Sequence, residues 1–374
     1  MKVLHLITGG DTGGAKTHVL NLLKELNKNI DARLLCIMEG IFTKEAREMG
    51  IDVTIIPQRK RYNIFVIKDM VNIIKKENYD IIHCHGARAN FLGIFLKYRL
   101  DIPIVTTIHS DYRLDFADNK YKHLFYTPIN SIALRFISYY IAVTKNFKKM
   151  LIDRGFKAKD IFEVYNGIYF NKDIKTKDKE KFLKKYGIKY DEDITYIGDV
   201  SRLHPVKGID VFLKGAKEIA KKYSNVKFLI AGEGTERKQY EEFIKKENLS
   251  DVVYLLGHVD DIYSFYKAID INVLSSYSES FPYALLEGAR QKKPTISSQV
   301  GGISEMIIHK ECGYLFQAGD HKEMVKYIET LIKDEDLRIK LGNNFYKRAK
   351  EKFSVEAMAQ KHLDIYEIIK EERS

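Results

Sequence analysis

Ser278-Glu279-Ser280-Phe281-Pro282-Tyr283-Ala284-Leu285-Leu286-Glu287-Gly288 sets two carboxylates eight positions apart. An apolar run with Ile271, Val273 and Leu274 precedes it and reads as a strand. Pro282 stands where a helix would begin, a position that tolerates its missing N–H. A strand that feeds a helix N-terminus is a ready anion site, because unpaired N–H groups and the helix dipole face the ligand. Glu279 falls at the mouth of that turn. Glu287, about two turns on, falls on nearly the same side of the helix. Carboxylates accept hydrogen bonds from hydroxyls, so the pair suits a polyhydroxylated ligand that also carries phosphate. A nucleotide sugar is such a ligand.

Outward from this stretch, short β-branched runs alternate with longer amphipathic segments. The predicted strands are Val3–Thr8, Arg33–Ile37, Val53–Ile56, Ile81–His85, Ile104–Ile108, Tyr140–Val143 and Phe162–Val164. Between them run helix patterns such as His18–Leu26 and Val66–Glu77. A charged stretch, 171–193, then reads as a crossover with one short helix. A second series follows, with strands Ile194–Val200, Val226–Ala231, Val252–Leu256, Ile271–Leu274 and Pro294–Ser297. Its helices include Val211–Lys222, Arg237–Glu247 and Tyr283–Gln291. Such series build mainly parallel, doubly covered sheets. The expectation is an α/β chain of two similar domains with a cleft between them, and ligands beyond the carboxyl ends of the strands. A last helix, Ser354–Lys370, takes Ser354 as N-cap and Ala357, Met358, Leu363, Ile365 and Ile368 as its apolar face.

A length of 374 residues suits two domains. Three widely spaced cysteines, Cys36, Cys84 and Cys312, make no disulfide framework and fit a reducing compartment. The apolar run Val3–Ile7 is too short for a signal-peptide core, and no apolar stretch reaches the about 18 residues of a membrane span. The net charge is +11. Residues 1–170 hold 26 Lys and Arg against 17 Asp and Glu, so +9; the remainder holds 36 against 34, so +2. A basic N-terminal half invites an anionic membrane surface, a phosphorylated acceptor or a nucleic acid. A Lys-rich but unengaged surface is the plainer reading.

Other motifs each have a plainer alternative. Gly9-Gly10-Asp11-Thr12-Gly13-Gly14-Ala15-Lys16-Thr17 follows the first strand and opens a helix, where glycines allow a backbone to approach phosphate. Ala15 separates Gly14 from Lys16, so a P-loop match fails by one residue. Ser201-Arg202-Leu203-His204-Pro205-Val206-Lys207-Gly208 can aim a guanidinium fork and an ammonium at one diphosphate. In His83-Cys84-His85 the two histidines share a strand face while Cys84 points away. Metal binding needs three or four converging ligands, and the sequence shows no further cluster. Asp191-Glu192-Asp193 reads as a solvated run. His109, in Thr106-Thr107-Ile108-His109-Ser110-Asp111, ends a strand and is a core or cleft histidine. Arg59-Lys60-Arg61 with the amphipathic 63–76 stretch fits either an anionic membrane or ordinary packing.

Together these motifs, in this order, resemble the retaining, GT-B-fold glycosyltransferases called family 4 or group 1. Those that carry the resemblance are Gly13-Gly14, Thr107-Ile108-His109, Arg202…Lys207-Gly208, and Glu279 with Glu287 followed by Gly301-Gly302. Asn166-Gly167-Ile168 is similar to the family's domain junction. Phe353-Ser354-x-Glu356 is similar to its terminal helix, and the resemblance spans essentially the whole chain. It implies two Rossmann-like domains facing each other across a cleft. An acceptor-side domain would hold 1–168 plus 354–374, with the last helix crossing back. A donor domain would hold 169–353.

The resemblance also implies roles. Arg202 and Lys207 would bind the donor diphosphate, Glu287 the ribose and Glu279 the transferred sugar. Backbone N–H groups of Ser280, Phe281 and Tyr283 would help, and Val259 would border the donor from the Gly257–Asp261 loop. Gly13 and Gly14 would approach from the other domain, and His109 would contact the sugar near the reaction centre. Lys16 and His85 would lie on the acceptor side; Lys16 stands where many members carry an acidic or amide residue. No cofactor or metal is expected beyond the nucleotide sugar, which is expected to be UDP-linked. The expected setting is the cytoplasm, or its membrane face, in cell-envelope or exopolysaccharide synthesis with a glycan or lipid-linked acceptor. The rivals are a phosphorylase or nucleotide-sugar epimerase of this fold, a P-loop ATPase or kinase, and a nucleic-acid-binding protein. Aromatic–basic interleaving does not rise above chance, which argues against nucleic acid.

Overall fold

The computed structural model describes residues 1–10, 13–58, 65–114 and 120–372. The chain divides into two compact units: Met1–Gly167 with Val355–Ser374, and Ile168–Ser354. Each crossing lies one residue from the boundary expected above.

Unit 1 runs β1 (Lys2–Ile7), α1 (Gly14–Leu26), β2 (Asp31–Cys36), α2 (Ile41–Glu48), β3 (Val53–Ile55), α3 (Val66–Glu77), β4 (Ile81–His85) and α4 (Ala87–Lys97). It continues with β5 (Ile104–Ile108), α5 (Lys120–Phe136), β6 (Tyr139–Ala142), α6 (Lys145–Asp153) and β7 (Ile161–Glu163). Its seven strands pair in the order β3-β2-β1-β4-β5-β6-β7, all parallel. Every residue of β4 and β5 is buried, as a strand covered on both faces requires. The order reverses between β1 and β4, so both strands end at the switch point where such sheets bind ligands.

Unit 2 runs α7 (Lys179–Lys185), β8 (Thr195–Val200), α8 (Ile209–Lys222), β9 (Val226–Ala231), α9 (Arg237–Lys246), β10 (Val253–Gly257), α10 (Ile262–Ala268) and β11 (Ile271–Leu274). Then come α11 (Tyr283–Arg290), β12 (Thr295–Ser298), α12 (Ile303–Met306), β13 (Tyr314–Phe316), α13 (His321–Lys333) and α14 (Glu335–Lys352). Its six strands pair as β10-β9-β8-β11-β12-β13, again all parallel. The switch point falls between β8 and β11, the strands that carry the basic loop and the Glu279 loop.

One open alternative closes and one expectation changes. In α3 the apolar residues Val66, Ile67, Met70 and Ile74 are buried in the core of unit 1, so this helix is packed rather than membrane-facing. Arg59-Lys60-Arg61, Asn63 and Ile64 lie outside the described residues. The last helix, α15 (Val355–Glu371), packs on α1. Its buried face is Val355, Met358, Ala359, His362, Leu363, Ile365, Tyr366 and Ile369, while Ile368 faces solvent. Two polar side chains, His362 and Tyr366, thus stand in a face expected to be apolar; Tyr366 bonds into the sheet at His83, while His362 bonds back to Met358 O of its own helix.

Candidate functional site

In unit 2, glycines let the loops after β8, β11 and β12 touch. The loop after β8 closes in one 3-10 turn, Pro205–Lys207, and ends at Gly208 with φ 63°. A Cβ on Gly208 would lie 2.0 Å from the Ser275 carbonyl oxygen, which no side chain allows. Ser275 Oγ donates to Gly208 O at 2.8 Å, and Tyr277 N–H donates to Val206 O at 2.8 Å. The basic loop is therefore stitched to the Glu279 loop along their backbones.

That contact brings Lys207 Nζ to 2.7 Å from Glu279 Oε1, with both side chains largely buried. Ser276 Oγ donates to the same oxygen at 2.7 Å. Ser298, at the end of β12, holds Ser276 O through its hydroxyl at 2.6 Å. Gly301 has φ 53°, and a Cβ there would stand 1.7 Å from Glu279 O. Gly302 N–H donates to Ser280 O at 2.8 Å. The Gly301-Gly302 pair is thus the seat of the Glu279 turn.

Pro282 is the N-cap of α11, one position before the first helical turn, and no side chain caps that end. Phe281 is buried edge-on against Phe353, with ring centroids 5.2 Å apart, so its backbone is fixed while its side chain is not available. Ser280 and Tyr283 are half-buried. Gly288 allows α11 to lie against Asn272 of β11; a Cβ would meet its Nδ2 at 2.7 Å. Glu287 is held one residue earlier. Its carboxylate makes no hydrogen bond or ion pair among the described residues, and burial pushes its pKa up to about 7. Arg202 is exposed, and its guanidinium likewise has no partner among the described residues. Val259 turns its side chain into the core with Leu229 and Phe265.

One carboxyl was missed. Asp199, near the end of β8, is fully buried and accepts from Ser201 Oγ at 2.6 Å, while its Oδ2 has no hydrogen-bond partner. Burial raises its pKa to about 7, opposed by the Ser201 hydrogen bond and the nearby Lys207. A carboxylate inside a strand, just before a basic loop, was the available signal. Asp191, Glu192 and Asp193 are exposed, as expected of a solvated run.

In unit 1, Gly13 is the N-cap of α1 with φ 68° and Gly14 opens the helix, with no side-chain cap. Asp11 and Thr12 lie outside the described residues. Lys16 Nζ meets both carboxylate oxygens of Glu45 at 2.8 Å. It is an ion-pair partner within the unit. His109 is half-buried and not alone, as its ring centroid lies 4.8 Å from that of His18 and 5.8 Å from that of His85. The expectation that no further cluster joins His83 and His85 is corrected. Parallel pairing sets His5 of β1 opposite His83 of β4, with His5 Nδ1 3.0 Å from His85 Nε2, and α1 and α15 add His18 and His362. Spacing along one strand cannot reveal neighbours supplied by others.

Comparison with known proteins follows the same division. The model of "Glycosyltransferase Family 4" matches residues 12–171, and that of "Glycosyl transferases group 1" matches residues 178–348. An uncharacterized glycosyltransferase of Methanocaldococcus jannaschii is 31% identical, over 95% of this chain and 94% of its own length. The capsular polysaccharide biosynthesis glycosyltransferase CapM of Staphylococcus aureus is 27% identical, over 94% and 93%. Among solved structures, HepE of Anabaena, determined with UDP and with UDP-glucose, superposes with a TM-score of 0.85 in the UDP complex. It is 22% identical and covers 98% of this chain and all of that one. This likeness shows the GT-B fold. No helix among the described residues is long and apolar enough to cross a membrane.

Proposed function

Because the chain belongs to the family 4, group 1 glycosyltransferases, we propose that it moves a hexose from a UDP-sugar to an acceptor hydroxyl. The transfer proceeds with retention, needs no metal, and serves cell-envelope or exopolysaccharide synthesis. The observation that carries this reading is the joined pair of loops in unit 2, where Lys207, Glu279 and Ser276 meet within 2.7 Å contacts. Arg202 and Glu287, whose side chains have no hydrogen bond or ion pair among the described residues, are read as extending this site.

In this reading Arg202 and Lys207 meet the negative charge that develops on the leaving diphosphate. Glu287 accepts from the ribose hydroxyls. Glu279 accepts from hydroxyls of the transferred sugar, aided by N–H groups of Ser280, Phe281 and Tyr283. The Lys207–Glu279 contact keeps both side chains in place before the donor arrives, so little reorganisation is left for the reaction. On unit 1, Gly13, Gly14 and His109 keep the donor-side roles, and His85 the acceptor-side role, that the family pattern implies. The nucleophile attacks from the leaving group's own face, since Glu279 is committed to sugar hydroxyls. HepE's complexes with UDP and UDP-glucose support the donor, and CapM's name supports the polysaccharide setting. The basic excess of residues 1–170 supports peripheral binding to the anionic inner face of the membrane, near a glycan or lipid-linked acceptor. The P-loop rival loses its lysine, because Lys16 is held by Glu45.

The test is turnover of labelled UDP-sugars, scored by product stereochemistry. Wild type should form an α-linked product from an α-configured donor, with EDTA without effect. An inverted product, or activity abolished by EDTA and restored by Mn²⁺, refutes the corresponding part.

A further inference from the structure

Unit 1 gathers six buried or half-buried imidazoles from separate elements: His5 on β1, His18 on α1, His83 and His85 on β4, His109 after β5, and His362 on α15. Part of this cluster is satisfied by its own bonds. His5 Nδ1 lies 3.0 Å from His85 Nε2, His83 Nδ1 lies 2.6 Å from Tyr366 Oη, and His83 Nε2 lies 2.7 Å from Thr107 Oγ1. The rest is not. His18 Nε2, His85 Nδ1, His109 Nε2 and His362 Nε2 are buried and have no hydrogen-bond partner among the described residues.

The tautomer of His18 sharpens the point. Its Nδ1 faces the carbonyl oxygen of Asn166 at 2.9 Å. A carbonyl only accepts, so Nδ1 carries the hydrogen. In a neutral imidazole, Nε2 is then a bare lone pair. Burial holds His18, His85 and His109 neutral, which is the ligand form. The three residues offer ligand atoms that all lie within 4.8 Å of one another. Nitrogens about 2.0–2.1 Å from a tetrahedral metal stand roughly 3.4 Å apart. Small ring rotations close that gap.

We propose that His18, His85 and His109 bind a divalent transition metal of the zinc class. The donor set selects the metal: three neutral imidazoles and no carboxylate suit zinc, copper or nickel and not magnesium or calcium. Asn166 and His5 play the outer part, each facing the second nitrogen of a ligating ring. His109 is the half-buried member, and its side leaves the fourth position open to water or a small anion. The overlapping set His5, His83 and His85 is disfavoured, because binding there would break the bonds just described. Binding does not depend on the transferase reading. Its consequence does: a metal on His109 removes that ring from the sugar, so zinc loading inhibits transfer.

The experiment strips the full chain with chelator and titrates Zn²⁺ by calorimetry, then Co²⁺ by visible absorption. One equivalent should bind, with the intense Co²⁺ bands of a four- or five-coordinate nitrogen site. His18→Gln should weaken Zn²⁺ binding at least about tenfold, and Asn166→Ala by about 10–100-fold, since the latter keeps all three ligands and frees only a supporting contact. His258→Gln is the surface control, because His258 lies 3.3 Å from the exposed Asp260. Melting curves of the metal-free variants report folding, and Asn166→Ala decides if His18→Gln does not fold. Failure of wild type to bind, wild-type affinity in Asn166→Ala, or binding lost only in His258→Gln overturns the proposal. Zinc binding in a chain that turns over no UDP-sugar would leave the metal site standing and count against the transferase reading alone.

Discussion

At the residue scale, Lys207 and Glu287 separate charge from burial. Lys207→Ala removes a cation aimed at the departing diphosphate, and losses of that kind run to about 10²–10³-fold in kcat. The variant should keep its fold, since the seams around Gly208 are backbone contacts. Kinetics near wild type would remove Lys207 from the chemistry. Glu287 tests a different quantity. Its folded pKa, about 7, lies above its ordinary 4.5. Between those values the folded chain holds a proton that the unfolded chain has released. Stability therefore falls as pH rises through this window. Glu287→Gln has no such proton, so it should melt with wild type at pH 4.5 and about 6–12 °C above it at pH 8, for about 3 kcal/mol of relieved burial. Identical melting at pH 8 would mean that the carboxylate is not strained by its surroundings. The motif residues were legible because strand, glycine and charge stand in one line of sequence. Asp199 was not, because its partners Ser201 and Lys207 become neighbours only when the loop folds back.

At the scale of elements, the glycines divide into two kinds. Gly208 and Gly301 combine positive φ with a backbone oxygen closer than 2.1 Å to any added Cβ. Gly13 has positive φ but open space around it. Alanine at 208 or 301 must push the two loops apart, and a shift of about 1 Å at such a site costs about 100-fold in rate. Alanine at 13 meets only the backbone penalty, about 1–2 kcal/mol. Activity assays and melting curves on the three variants should therefore rank Gly13→Ala well above the other two. Equal loss in all three would mean that loop contact is not what these glycines provide. The βαβ rhythm gave β4, β5, β9 and β11 to the residue, since continuous apolar runs mark doubly covered strands. It missed β13, only three residues long, and α14, whose half-charged sequence buries little beyond Leu341, Gly342, Phe345 and Ala349. It also took the face of α15 for apolar, because His362 and Tyr366 are core residues only in company with β1 and β4.

At the scale of the whole molecule, the two units should answer acid in opposite directions. Burial lowers the pKa of His5, His18, His83, His85, His109 and His362, to about 4 for His18 and about 3 for His362. An imidazole whose folded pKa lies below its unfolded 6.5 contributes stability above 6.5, and that stability drains as pH falls toward the folded value. Each proton taken up only by the unfolded chain costs unit 1 about 1.4 kcal/mol per pH unit below that point. Unit 2 carries the reverse case. Asp199 and Glu287 have raised pKa values, so acidification toward pH 5 relieves them. In unit 2 burial also lowers the pKa of His309, but that ring is half-buried. Hydrogen exchange reads each unit separately within one chain. From pH 8 to pH 5.5, once intrinsic exchange rates are corrected, protection should fall steeply in β1, β4 and α15. It should hold or rise in β8 and α11. Protection that fell by the same free energy in both sheets would place the acid sensitivity outside the histidine cluster. A selective loss in unit 1 would tie it to the polar core that the parallel pairing of β1 and β4 creates.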